Sequence, residues 1–219
     1  MARLHIVSKS GSVDVVATLG AGLEVTGGRL ESEADGTHKI KSGSKNLVVE
    51  CEPGADLIVG TLSGSVHVQG AFGATRVVSK SGSIEIDEAT EVDARTHSGR
   101  VSVGECSGAC RVVVTSGTIS VGRSAHASVA GVSGSIRVEE TDAADVKNVS
   151  GSIHVGCTGA GRISIRSVSG TVEVSVPPER APATHLKSIS GKIKNESETG
   201  NDGEIDVKTV SGTIRVVKK

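Results

Sequence analysis

Four cysteines, a row of serines and a column of charged residues are the groups in this 219-residue chain that could do chemistry. Cys106 and Cys110, in Cys-Ser-Gly-Ala-Cys, have the spacing of half a metal site or of a short disulfide loop. No second Cys or His pair accompanies them, and Cys51 and Cys157 read as small buried hydrophobes. His67, Glu85, Ser102, Ser120, Arg137, His154, Glu173, Lys194 and Arg215 recur at one position of a repeating pattern. Glu85 is expected to answer His67, and Glu173 to stand between His154 and Lys194. A sheet that neutralises its own ladder explains that column without a ligand. The serines are of a nucleophile's type, but a nucleophile needs a base and an orienting group gathered at one place. The same Ser returns in every repeat, so no catalytic, metal or cofactor-binding residue and no cofactor is assigned. The chain reads as a non-enzyme.

The repeat is what must position these groups. Ser-Gly stands at Ser10-Gly11, Ser63-Gly64, Ser81-Gly82, Ser98-Gly99, Ser116-Gly117, Ser133-Gly134, Ser150-Gly151, Ser169-Gly170, Ser190-Gly191 and Ser211-Gly212. From Gly64 onward the spacings run 18, 17, 18, 17, 17, 19, 21 and 21. After most pairs come Ser or Thr and then two apolar residues two apart, as in Ser135-Ile136-Arg137-Val138. Before it stand two more, as with Ile163 and Ile165 ahead of Ser169. Such alternation predicts strands with one buried face. Self-similarity at this period predicts an all-β fold, a single β-solenoid of roughly ten 17–21-residue coils. Equivalent strands would stack in parallel about 4.8 Å apart. Cys106 and Cys157, three coils apart, would then lie about 14 Å from each other, beyond disulfide reach. Only Cys106 and Cys110 could meet. The Gly of each pair is expected to turn a corner and the Ser hydroxyl beside it to satisfy corner backbone groups.

Composition excludes several functions. Lys plus Arg (24) nearly balances Asp plus Glu (25), which argues against a nucleic-acid or anionic-membrane binder. The chain has no Trp, no Tyr and a single Phe, Phe72, so base-stacking platforms and sugar-binding aromatic strips are not available. A polysaccharide-acting solenoid enzyme is disfavoured for the same reason. No run is apolar enough for direct membrane insertion, and the opening residues do not form an export signal. A complete chain of this kind is expected to be cytoplasmic.

One domain, 1–219, is expected. Residues 1–60 form its irregular part: 1–16 a full repeat, 17–60 degenerate coils or a capping hairpin in which Leu47-Val48-Val49 and Leu57-Ile58-Val59 are strands joined by a turn at Pro53-Gly54. There Gly27 and Ser42-Gly43 follow Gly11 by about one and two periods. Residues 61–174 are the regular body and 175–219 the coils with longer loops. Those loops, with Pro177, Pro178 and Arg180 in one and Glu196, Glu198 and Asp202 in the other, should leave one corner side by side and are the candidate partner loops. The residue before each Ser is apolar late in the chain (Val132, Val149, Val168, Ile189, Val210) and mostly polar early (Lys9, Leu62, Lys80, His97, Thr115). That stripe is either packed by the N-terminal segment, docked by a partner, or open to solvent. The final strand, ending Val216-Val217-Lys218-Lys219, is expected to be an uncapped edge.

The recurring [Val/Ile]-Ser-Gly-[Ser/Thr]-[Ile/Val]-x-Val, with Lys187-Ser188-Ile189-Ser190-Gly191 and Thr209-Val210-Ser211-Gly212-Thr213-Ile214, resembles the bacterial "putative adhesin" family of Ser-Gly-repeat β-solenoids, related to toast-rack domains. The resemblance covers about 57–219 and 1–16 and implies a toast-rack-like solenoid with no catalytic residues to carry over; many relatives are membrane-anchored or exported. The function expected is a non-enzymatic scaffold presenting loops and one sheet face to an unknown protein partner. The alternative is self-association into a bactofilin-like structural polymer through uncapped strand ends.

Overall fold

Alternating Val and Ile can bury one face of a strand only if a neighbour covers it, and a chain built of copies supplies that neighbour from itself. The computed structural model describes residues 2–34, 36–198 and 200–219; Met1 of the first repeat, Asp35, and Thr199 of the second long loop lie outside the described residues. The strands are β1 (Arg3–Ser8), β2 (Val13–Ala17), β3 (Glu24–Thr26), β4 (Arg29–Ser32), β5 (Thr37–Ser42), β6 (Leu47–Cys51) and β7 (Asp56–Ser63). They continue with β8 (Val66–Ser81), β9 (Ile84–Cys157), β10 (Arg162–Val176), β11 (Ala183–Ser190), β12 (Ile193–Asn195) and β13 (Glu204–Lys218). Among the described residues there is no helix, hence none long and apolar enough to cross a membrane.

The fold is all-β and open, with nearly every pairing parallel and in repeat register. Ser169 lies opposite both Ser150 and Ser211, and Val172 opposite Ile153 and Ile214. Inward residues such as Ile84, Ile119, Ile163, Val174 and Ile205 are buried in one continuous core, each worth roughly 2 kcal/mol on folding. The 18-residue step from Gly64 to Gly82 carries its extra residue at a register shift between Val68 and Ala71, where Gly70 takes φ +95°.

Both ends depart from sequential stacking. The order of strands is β11-β13-β10-β9-β8-β7-β1-β5-β4. At the N-terminal end, β1 sits between β5 and β7, and β2 between β6 and β8. Residues 37–51 therefore form the outer layer, and β3 and β4 close it by antiparallel pairing with β6 and β5. Leu23 and Val25 pack there on a core end where Ile40, Leu47 and Val49 are fully buried. The segment 17–60 thus holds both a stacked layer and a cap. The strands at 47–51 and 56–63 do not pair with each other as a hairpin; each joins a different neighbour. The Ser-Gly match in this region is also corrected: Val13 opposite Leu47 sets Gly11 against Lys45, not Gly43.

The same inversion occurs at the C-terminal end. The last strand, β13, lies between β10 and the β11–β12 layer. The expectation of an uncapped edge at 204–218 is therefore overturned: Ile214 and Val216 are fully buried, and the free edge at this end of the sheet belongs to β11. The physical reason is that every repeat offers the same Val/Ile face, so a later segment can enter a layer that the chain has stepped over.

Candidate functional site

Corner geometry comes first because it fixes which side chains face outward. At Gly134 φ is +129°, and a Cβ there would overlap the carbonyl oxygen of Gly117 in the layer below. The glycines of Ser63-Gly64, Ser81-Gly82, Ser98-Gly99, Ser116-Gly117, Ser150-Gly151, Ser169-Gly170 and Ser211-Gly212 repeat both features. Gly191, in the outer layer, approaches the Gly212 carbonyl as closely but is not among the glycines of positive φ.

The corner carbonyls are served by a residue the sequence reading passed over. Two positions before the Ser, the hydroxyls of Ser8, Thr61, Ser79, Thr96, Ser167 and Thr209 donate to the carbonyls of Ser10, Ser63, Ser81, Ser98, Ser169 and Ser211 at 3.1–3.4 Å. Asn148 does the same through Nδ2 to Ser150 at 2.9 Å, its side chain filling the space above Gly131. Ser63, Ser116, Ser133, Ser190 and Ser211 are exposed, and the Ser81 and Ser150 hydroxyls reach carbonyls only at 3.5 Å. The signal was present as a small polar residue inside an apolar run.

The inverted stacking also reassigns the charged column. Glu173 meets His154 at 3.4 Å and Arg215 at 3.8 Å, not Lys194. Lys194 stands beside Arg215 and turns to Glu196 at 2.5 Å, a hydrogen bond that holds the Glu196 carboxyl below the usual range. His67 turns its Nδ1 to Asp14 at 3.0 Å, although Glu85 faces it from the other side.

The two loops do leave side by side, but their polar groups bind each other. Arg180 donates to the carbonyls of Thr158 and Asp202 at 2.9 Å each, and the Ala181 amide donates to Asp202 Oδ2 at 3.3 Å. Pro177 accepts from the Arg180 amide, Pro178 is exposed, and Glu198 pairs with Lys218 at 3.4 Å. The loops are long because they carry the chain over the inserted β13 layer and back.

All four cysteines are buried and free. Burial pushes Cys51 and Cys157 up. Cys106 and Cys110 do meet: the Cys110 thiol hydrogen-bonds Cys106 and brings it down to about 7, while Cys110 itself is pushed up. Among the described residues no group of three or more His, Cys, Asp or Glu could hold a metal ion.

What remains open is one face at the free end. Val132, Val149, Val168 and Val210 are 46–49% exposed and Ile189 is 83% exposed. The N-terminal segment packs at the opposite end of the stack, so this stripe faces solvent. Two residues before the last four valine and isoleucine positions runs a cationic ladder. Arg166 is opposite both Lys147 and Lys208, and Lys208 is opposite Lys187. Lys147 and Lys208 are paired within their own strands to Asp145 at 3.3 Å and Asp206 at 2.9 Å. Arg166 and Lys187 make no ion pair among the described residues. A groove of about 640 Å³ runs along this end, with Arg166, Lys187 and Lys208 beside Leu186, Ile189, Ile193 and Val210, and no carboxylate lines it.

No curated protein matches the chain in sequence. A crystal structure of a "putative cell adhesion protein" from Clostridium sporogenes aligns with 100% of this chain and 92% of its own, at 9% identity and a TM-score of 0.26. The family model described as Toastrack DUF4097 matches residues 76–217, a span that runs from within β8 into β13. The chain belongs to the toastrack DUF4097 family.

Proposed function

We propose that this protein is a non-enzymatic scaffold for protein interaction, a cytoplasmic, adhesin-like β-solenoid of roughly ten coils that offers one sheet face to a protein partner. The observation that carries this reading is the solvent-facing stripe Val132, Val149, Val168, Val210 and Ile189. Exposed apolar residues scattered singly mean little, but a contiguous row on a rigid face marks an interaction surface. Antiparallel β3 and β4 close over the core at one end, an arrangement that favours the scaffold over the polymer alternative, whose head-to-tail growth would need two complementary open ends.

The test compares proteins captured by the wild type, by a Val168→Glu/Val210→Glu variant, and by a Ser102→Glu control. The scaffold reading expects a partner retained by the wild type and the control and lost by the double variant. Identical recovery by all three contradicts it. Circular dichroism confirms that each variant is folded.

A further inference from the structure

We propose that the free edge of β11 takes an extended acidic segment of a partner protein, added as the next strand of the sheet. The inference rests on the scaffold reading and supplies it with a docking mode and a partner class. β11 pairs with β13 on one side only, so its other side presents unpaired backbone donors and acceptors. Edges of this kind are templates for strand addition. The opposite end of the stack has its cap in β3 and β4; this end has only the Asn195 side chain donating to Thr184 across the mouth of the core at 3.1 Å. Ile193 remains 46% exposed there.

Charge decides what can add. Lys147, Arg166, Lys208 and Lys187 stand directly opposite one another in successive layers, about 4.8 Å apart. Like charges so placed repel, and a carboxylate opposite would be favoured. The ladder ends at Lys187 with no counter-charge, in a groove with no carboxylate. A second copy of the same edge brings another Lys187 and no carboxylate to this ladder, so self-pairing is disfavoured. An incoming acidic strand closes the ladder instead.

Register then specifies the segment. In parallel addition an apolar residue faces Leu186, an acidic one Lys187, a small one Ser188 and an apolar one Ile189. Ser188 Oγ is buried without a hydrogen-bond partner, which favours a small hydroxyl-bearing residue beside it. Affinity comes from main-chain hydrogen bonds, and selectivity from these alternate side chains.

The probe is the rhodamine-labelled peptide Thr-Ile-Asp-Val-Glu-Ser-Val-Ser, followed by fluorescence anisotropy on the full chain. Its counterpart is Thr-Ile-Lys-Val-Lys-Ser-Val-Ser. The wild type should bind the acidic peptide saturably and prefer it, with amide shifts confined to about 183–195. Lys187→Glu should weaken that binding about fivefold and reverse the preference. No saturable binding, equal binding of both peptides, or shifts elsewhere would overturn the proposal. Sedimentation showing a dimer that Lys187→Glu dissolves would also overturn it, naming a second copy as the occupant. Peptide binding lost while stripe-dependent capture persists rejects this edge alone; loss of both rejects the scaffold reading as well.

Discussion

Replacing Gly134 by Ala puts a number on the corner. Two independent costs follow from the geometry. With φ at +129°, the backbone lies where L side chains rarely go, a strain of about 1–3 kcal/mol. The added methyl also overlaps the Gly117 carbonyl, and forcing an atom into packed structure costs about 1–3 kcal/mol more. The blocking atom is backbone held by the next layer, so neither cost relaxes easily. Together they come to about 4 kcal/mol, a large share of the 5–15 kcal/mol typical of a domain. Urea unfolding followed by far-UV circular dichroism reads this directly, since the chain has no Trp or Tyr to follow by fluorescence. The midpoint should fall with the slope unchanged. Ser133→Ala, an exposed hydroxyl on the same corner, should stay within about 0.5 kcal/mol of wild type. A Gly134→Ala variant within 1 kcal/mol of the wild type would refute the close-approach argument.

Two further effects can be measured alongside. Asn148→Ala removes the 2.9 Å bond to the Ser150 carbonyl and empties the space above Gly131; a loss of about 2 kcal/mol in the same urea assay is expected, and no change would mean that the buried polar column is decoration. The Cys106 thiolate, followed by ultraviolet absorbance, should titrate near 7, below its ordinary 9.0, and Cys110→Ala should move the midpoint up. Because its folded value is the lower one, Cys106 by itself contributes stability that is present above pH 9 and lost as pH falls through 7, while Cys110, pushed up by the same contact, works in the opposite sense above pH 9. An unchanged midpoint in Cys110→Ala would assign the shift to another cause.

Period and strand positions were legible because they follow from local rules. A Ser-Gly corner every 17–21 residues and Val or Ile at alternate positions dictate parallel layers wherever they occur. The order of layers was not legible, and for a physical reason. Ile163, Ile205 and their equivalents present interchangeable faces, so periodicity states that repeats stack but not which repeat is next to which. The hints were indirect: two 21-residue steps around Gly191, and a blurred register between residues 17 and 60. Pairings inferred from sequential order failed for this reason, as Glu173 with Arg215 in place of Lys194 shows. The candidate face was half visible. The run Val132, Val149, Val168, Ile189 and Val210 could be read off, but its exposure depended on where the N-terminal segment packs. The ladder from Lys147 to Lys187 existed only once β13 had been placed between β10 and β11.

That placement is the central claim, because it decides which strand is the free edge at the C-terminal end of the sheet. Amide hydrogen exchange measured residue by residue tests it most directly, since protection follows pairing on both sides of a strand. The account expects residues 205–216 to be protected as strongly as 163–175, with alternate amides of 184–190 exchanging fast. Fast exchange across 205–216 with full protection of 184–190 would contradict it, returning the last strand to the edge and removing the docking site with it.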